Sequence, residues 1–474
     1  MSNLPVIIQG GMGAGVSNWR LAQAVSSQGQ LGVVSGTALD QILVRRLQDG
    51  DPGFHMRRGL DAFPFPALAE PIWQKYFIPG GRAPNTPYRN APQHAKDNPY
   101  DVTALCIVSN FVEVYLARQG HSNPVGINYL EKIQTANLPC IYGAMLAGVG
   151  YVLMGAGIPL KIPGVLDRLT QHLPTEYALH VAGALDTDDN MMRFNPLDFI
   201  PAPQSALRRP KFLSIVSSNT LATTMLRKAN GRVDGFIIEM PSAGGHNAPP
   251  RGKLQLSETG EPIYTERDHV DLAKLRELNV PFWLAGSFGR AEKLREALAE
   301  GAAGVQVGTA FEFADESGLD SNLKKAILTQ VIDGWVQPFT DPLASPTGFP
   351  FKVVNLEGTD VQPEPYTQRP RICDLGFLRQ PYRTEEGTIG YRCPSEPLSL
   401  FLSKGGNIAD TVGRKCLCNA LLANIGQAQV RGSHHIEPPL VTAGDDLNYV
   451  ASFLQEDKNS YSAADVIAAL LQPV

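Results

Sequence analysis

Six cysteines in 474 residues, irregularly spaced, are too few for a disulfide framework, so a reducing compartment is expected. Lysine and arginine form no dense cluster, and the net charge is -5, which speaks against nucleic acid as the main partner. The opening MSNLPVIIQGGMG lacks a basic segment followed by a long apolar run, so no signal peptide is expected. No apolar run reaches the ~18 residues of a membrane span, and no membrane partner is expected. Also missing is G-x-G-x-x-G behind the first strand, the fingerprint of a doubly wound dinucleotide fold. The first turn instead reads Gln9-Gly10-Gly11-Met12-Gly13-Ala14-Gly15. These absences leave a cytoplasmic soluble protein, and at 43% hydrophobic residues it has enough apolar chain for a large core.

What is present is a rhythm. Short apolar strand candidates fall at Pro5–Ile8, Leu31–Ser35, Pro124–Asn128, Tyr151–Met154, Phe212–Val216, Asp234–Glu239, Val280–Ala285 and Gly304–Val307. Helical patterns separate them at Asn18–Ser27, Leu39–Gln48, Ala136–Leu146, Asn219–Lys228, Asp268–Leu278 and Ala291–Gly301. The last carries Leu294, Ala297 and Leu298 at helical spacing. Strands apolar on both faces, alternating with amphipathic helices, imply a parallel sheet covered by helices. Eight such units predict an α/β fold, a closed (β/α)8 TIM barrel whose sites sit at the C-terminal strand ends.

Three regions exceed a minimal barrel. The stretch 50–99, rich in proline, asparagine and aromatics, reads as a loop decoration after strand two. Residues 158–210 hold an apolar piece at Tyr177–Val181 between strands four and five. From Pro338 the rhythm stops, so the barrel is assigned to 1–337 and an extension or subdomain to 338–474, ending in a helix at Ala463–Leu471.

The residues behind the strands are mostly small: Gly10-Gly11-Met12-Gly13, Ser35-Gly36-Thr37, Asn128, Gly155-Ala156-Gly157, Ser217-Ser218, Gly244-Gly245-His246, Ala285-Gly286-Ser287 and Gly308-Thr309. Small residues leave room for a large flat ligand and expose backbone donors. In barrels a phosphate commonly sits on the loops after strands seven and eight, which here offer Gly286-Ser287 and Gly308-Thr309. His246, behind a glycine pair, adds a group that titrates near pKa ~6.5.

PVIIQGGMG, LGVVSGTAL, PVGIN, IIEMPSAGGH, PFWLAGS and GAAGVQVGTAF together resemble the nitronate monooxygenase (2-nitropropane dioxygenase) family, which includes FMN-dependent enoyl-acyl-carrier-protein reductases. The resemblance spans about residues 4–350, less the insertions. It implies an FMN-bearing barrel in which Met12 and its neighbours Gly10, Gly11 and Gly13 face the isoalloxazine ring and Asn128 hydrogen-bonds the flavin. It further implies that Gly244, Gly245, Gly286, Ser287, Gly308 and Thr309 wall the phosphate site, and it matches His246 to the family's active-site histidine. The implied activity is oxidation of nitronates or nitroalkanes with O2. The alternatives are an NAD(P)H-dependent reduction of enoyl thioesters in fatty-acid or polyketide synthesis, and a flavin-binding scaffold without turnover. The expected partner is a small-molecule substrate, with a homodimer left open and a carrier protein under the enoyl reading.

The chain also departs from the family. Ser287 stands where many relatives have a second glycine. Phe212–Ser218 has no counterpart of the lysine some relatives carry on strand five; Lys161 is the nearest candidate to replace it. The exit Asn247-Ala248-Pro249-Pro250-Arg251-Gly252 is longer and stiffer. Cys373, Cys393, Cys416 and Cys418 lack the C-x2–4-C spacing of a zinc site and read as reduced thiols, so no metal is assigned. Cys106 and Cys140 sit in apolar helical patterns and read as core residues, and His434-His435 as a solvated pair.

Overall fold

The computed structural model describes residues 4–201, 205–334, 336–432, 435–454 and 459–472. Its centre is a ring of eight parallel strands: β1 (Ile7–Gln9), β2 (Gly32–Ser35), β3 (Val125–Leu130), β4 (Tyr151–Gly155), β5 (Lys211–Val216), β6 (Gly235–Glu239), β7 (Phe282–Ala285) and β8 (Gly304–Val307). Each pairs with its sequence neighbour from β2 through β8, and β8 pairs with β1. The ring closes where Ile8 bridges Leu31, with Gln9 N–H donating to the Leu31 carbonyl at 2.9 Å. The predicted TIM barrel is therefore the fold.

Alternation along the strands divides the core. Ile8, Leu31, Val33, Tyr151, Leu153, Leu213, Ile237, Trp283 and Ala285 fill the barrel interior. The outward set, including Ile7, Val34, Ile127, Val152, Phe212, Ile238 and Val305, packs beneath the helices. Trp283 crosses the barrel floor and donates its indole N–H to the Pro5 carbonyl at 2.8 Å.

Helices Leu39–Gln48 and Asn219–Lys228 have the predicted bounds, and Trp19–Ser27 starts after Asn18, whose side chain caps Leu21 N–H at 3.0 Å. The Asp268–Leu278 pattern shrinks to Leu272–Arg276 behind a 3-10 turn at Glu266–Asp268, because Asp271 caps the helix four residues late. In Ala291–Ala299, Leu294 and Ala297 are buried but Leu298 is exposed.

The insertions are more ordered than expected. Residues 50–99 contain helices His55–Asp61 and Pro66–Tyr76, and 158–210 contain helix Ile162–Thr170 and a hairpin of Thr175–Ala178 with Met191–Phe194. The apolar helical pattern around Cys106 is the helix Tyr100–Ala117, whose 18 residues are long and apolar enough to cross a membrane by length and composition. Most of it is buried against helix Gln134–Leu146 and the barrel; Asp101, Asn110 and Glu113 interrupt its apolar run.

Beyond Pro338 the chain turns back over the C-terminal mouth. Strand Phe351–Val354 pairs on one side with Pro338–Asp341 and on the other with Gly245–His246. Buried Arg369 and Glu437 form an ion pair at 2.6 Å inside this layer. The closing helix, Ala463–Leu470, is capped by Ser462 and packs on helix Trp19–Ser27. His435 is half-buried in a short hairpin with Val430–Arg431 rather than solvated, and His434 lies outside the described residues.

The two longest core helices touch backbone to backbone at Gly143, where a Cβ would lie 2.0 Å from the Ile107 carbonyl oxygen. Gly143→Ala is expected to cost about 1–3 kcal/mol through overpacking, seen as a lower thermal midpoint. An unchanged midpoint would mean that the helices separate freely.

Candidate active site at the barrel mouth

The interior-facing alternation that stacks Ile237 and Trp283 ends in a different kind of layer. Continued one step towards the mouth, it places Asn128 on β3, Glu239 on β6 and Gln306 on β8 around the top of the barrel, with Gly10, Gly155 and Ala285 between them. The amide oxygens of Asn128 and Gln306 are buried and accept no hydrogen bond from the protein. Unpaired buried acceptors are uncommon, and here they floor a cavity.

That cavity has a volume of about 530 Å³. All twelve residues singled out from the sequence line it: Gly10, Gly11, Met12, Gly13, Asn128, Gly244, Gly245, His246, Gly286, Ser287, Gly308 and Thr309. Two glycines are needed for space or conformation. A Cβ on Gly11 would fall 2.4 Å from Asn128 Cβ, and Gly286 has φ +100° with Met240 and Ser242 close behind it. Ser287 adopts φ +57°, a left-handed conformation that favours glycine.

His246 is held from both sides. Its backbone pairs with Phe351, its Nε2 lies 2.7 Å from Ser345 Oγ, and Phe351 packs edge-on at 4.6 Å. This leaves Nδ1 as the nitrogen open to a ligand. Burial, reinforced by the charge of Lys132, lowers the His246 pKa to about 4, so the ring is neutral at pH 7. A neutral imidazole of that pKa is a poor proton acceptor and a good hydrogen-bonding group.

Sequence reasoning missed Lys132, in the turn after β3. Its ammonium lies 3.6 Å from the Phe349 ring centroid and 3.5 Å from the Thr347 carbonyl, next to the Ser345–Thr347 hydroxyls that meet His246. Burial lowers its pKa, opposed by Glu131. Lys161 is exposed at the start of helix Ile162–Thr170 and does not line the cavity, so it does not replace the strand-five lysine.

Three acids were also missed. Burial raises Glu239 to about 7 and Glu312 to about 8, and it raises Asp446 as well. Asp446 comes from the tail and accepts from Gly289 N–H at 3.3 Å, while Gly444 N–H donates to Thr309 Oγ1 at 2.9 Å. Gly244 likewise abuts Ala443, where a Cβ would sit 2.6 Å from its carbonyl carbon. Gly244 and Thr309 are thus shared between cavity and tail. The tail adds Phe377, Leu378, Leu417, Cys418 and Leu421 to the wall. Among the described residues, no three of the tail cysteines bring their sulfurs within 4.8 Å of one another.

A closed βα barrel with its ligand chamber at the C-terminal mouth is the architecture of a barrel enzyme. Residues 170–338, the segment carrying β5 to β8, match the family model for nitronate monooxygenase, so the resemblance read from the motifs holds there. That match supports an oxidoreductase of the FMN-dependent barrel class. FabK from Thermotoga maritima is similar at 17% identity, covering 98% of this chain and 91% of that one, with a TM-score of 0.48. Nitroalkane oxidase from Streptomyces ansochromogenes is similar at 16% identity, with coverages of 98% and 94% and a TM-score of 0.47. The enoyl reductase domain of MlnA, from the macrolactin biosynthesis cluster of Bacillus amyloliquefaciens, is similar at 12% identity, with coverages of 98% and 95% and a TM-score of 0.43. No curated protein matches the sequence.

The folded pKa of His246 lies below its unfolded value of ~6.5, so the unfolded chain binds the extra proton first as pH falls. The histidine's contribution is complete above ~6.5 and is lost progressively down to about 4. Nitrogen-15 spectra of histidine-labelled protein are expected to show a neutral ring at pH 5 that is absent in His246→Asn. A His246 signal titrating near 6.5 would remove the buried, neutral ring from the picture.

Proposed function

We propose that this protein is an FMN-dependent oxidoreductase that oxidises nitronates with O2 in the chamber at its barrel mouth. The observation that carries the reading is the pairing of a neutral His246 with the nearby Lys132 cation beside the cavity. An anionic substrate needs charge and hydrogen bonds more than it needs a base. A neutral nitroalkane would need a proton removed from carbon, a task for which His246 is poorly suited.

The residues present fit the cofactor. The unpaired amide oxygens of Asn128 and Gln306 would accept from ring N–H groups, with Met12 and Gly10–Gly11 leaving space for a flat ring. Ser287, Thr309 and the backbone at Gly286 and Gly308 would hold the phosphate. Burial of Glu239, Glu312 and Asp446 favours their neutral forms, which limits repulsion of that anion. Bound FMN supplies two-electron redox chemistry. The chain orients the substrate through His246, offsets its charge through Lys132 and excludes water with the tail's aromatic and leucine side chains. In this reading 1–337 provide the cofactor site and 338–474 its outer wall.

A second reading, reduction of an enoyl thioester with NAD(P)H, is favoured by the apolar wall. Phe349, Phe351, Phe377, Leu417 and Leu421 line more apolar surface than a small nitronate requires, and an acyl chain would cover it.

The released chromophore is expected to be FMN. Anaerobic propionate 3-nitronate should bleach the bound flavin, more slowly in His246→Ala. Lys132→Met removes a charge beside the cavity rather than a lining contact and should raise KM about threefold, a loss of roughly 0.5–1 kcal/mol. A spectrum unmoved by nitronate, but bleached by NAD(P)H and restored by an enoyl thioester, would replace the first reading with the second. A protein that binds no flavin after reconstitution would end both.

A further inference from the structure

The tail segment 443–446 is knitted into each of the loops that the resemblance assigns to the cofactor phosphate. Gly444 N–H donates to Thr309 Oγ1, behind β8, at 2.9 Å. Asp445 N–H donates at 3.0 Å to the Ser242 carbonyl, behind β6, which also accepts from Ser287 Oγ at 3.3 Å. Asp446 Oδ2 accepts from Gly289 N–H, behind β7, at 3.3 Å. Lys352 pins the segment from outside through an ion pair with Asp445 at 2.5 Å.

One atom of this arrangement is unfinished. Asp446 is 8% exposed and lines the chamber, yet its Oδ1 makes no hydrogen bond. It stands beside the Thr309 hydroxyl: a Cβ added at Gly444 would lie 3.1 Å from both oxygens. The titratable and charged groups around the carboxyl are engaged elsewhere or neutral. Arg290, which opens helix Ala291–Ala299, rests on the Tyr449 ring at 4.4 Å. Tyr461 donates its hydroxyl to the Ala310 carbonyl at 2.8 Å, and Asp445 is paired with Lys352. Glu312 is an acid that burial raises to about 8.

Ionised, Oδ1 would be a bare buried acceptor on a wall that also has to take an anion, and of two like charges that close one takes up a proton. Neutral, Oδ1–H becomes a donor, and what it lacks is an acceptor, which a phosphate oxygen supplies. Burial already raises the Asp446 pKa, against the pull of Gly289 N–H, the Thr309 hydroxyl and the Arg290 charge. We propose that Asp446 holds the cofactor phosphate as a neutral acid, donating Oδ1–H to it, so that loading the chamber takes one proton from solvent. This rests on the flavin reading and gives the tail a part in retaining the cofactor. The carboxyl binds its proton more tightly with the phosphate present than without it. Affinity therefore rises as pH falls through the interval between those two pKa values, and is level on either side.

The test titrates full-length protein, stripped of flavin, with FMN and with riboflavin across neutral and mildly alkaline pH. Flavin fluorescence gives the affinity, and calorimetry in buffers of different ionisation enthalpy counts the protons. In wild type FMN should take up about one proton more than riboflavin, and its affinity should fall by up to about tenfold per pH unit. Asp446→Asn keeps the shape and offers a permanent donor, so it should bind FMN more tightly than wild type at alkaline pH, with about one proton fewer. The phosphate's own step near pKa ~6 acts alike in both proteins and drops out of the difference. Equal proton counts in wild type and Asp446→Asn, or an excess proton lost in Glu312→Gln instead, would overturn the proposal and leave the flavin reading intact. Binding of neither flavin would end both. Should Asp446→Asn fail to fold, wild type still decides. Its infrared difference spectrum should gain a protonated-carboxyl band with FMN that riboflavin does not produce, and absence of that band would overturn the proposal.

Discussion

Because His246 pairs through its backbone with Phe351, the loop after β6 belongs to the tail's sheet as much as to the barrel. Those few hydrogen bonds set where the glycine pair turns, where the imidazole projects and which face of it is left for a ligand. Asn247 N–H extends the same connection to the Pro350 carbonyl at 2.9 Å. Val354 then binds Val441, which positions Ala443 against Gly244 and Asp446 against Gly289. A loop that in a minimal barrel would be free is thereby fixed at both ends.

Enclosure has a common electrostatic effect. Glu239, Glu312 and Asp446 move up and His246 moves down, so each carboxyl and the imidazole shift towards their neutral forms. Lys132 is the counterpoint, an ammonium resting on the face of Phe349. Three carboxyls on the inner wall are thus shifted towards neutrality while an ammonium stands just outside it, although Asp268 on the wall, beside Arg251, stays ionised.

The sequence was legible wherever physics is local. Strands buried on both faces read as short apolar runs, and the strand-end glycines announced the rim before its shape was known. Tyr100–Ala117 was legible as an apolar helical pattern around Cys106 but not in its bounds, because it is apolar nearly all round and offers no stripe for periodicity to measure. The helices of the first insertion were masked by their prolines, one of which, Pro71, lies within a helix. Lys132 belongs to no motif and gains its meaning from Phe349 and His246, both more than a hundred residues away. Asp446, Phe377 and Leu417 were hidden by distance along the chain, since nothing near them in sequence marks them as pocket residues.

The reach of that tail has a consequence for how the molecule is made. Gly10 and Asp446 line one cavity, yet they leave the ribosome more than four hundred residues apart. All eight barrel strands are synthesised by Val307, whereas the outer wall waits for Thr442 to Asp446. During that interval the apolar side chains of the mouth lack the tail that covers them in the folded chain, and exposed apolar surface is prone to the wrong contacts. The chamber is completed only near the end of synthesis, although its first wall is among the earliest residues made.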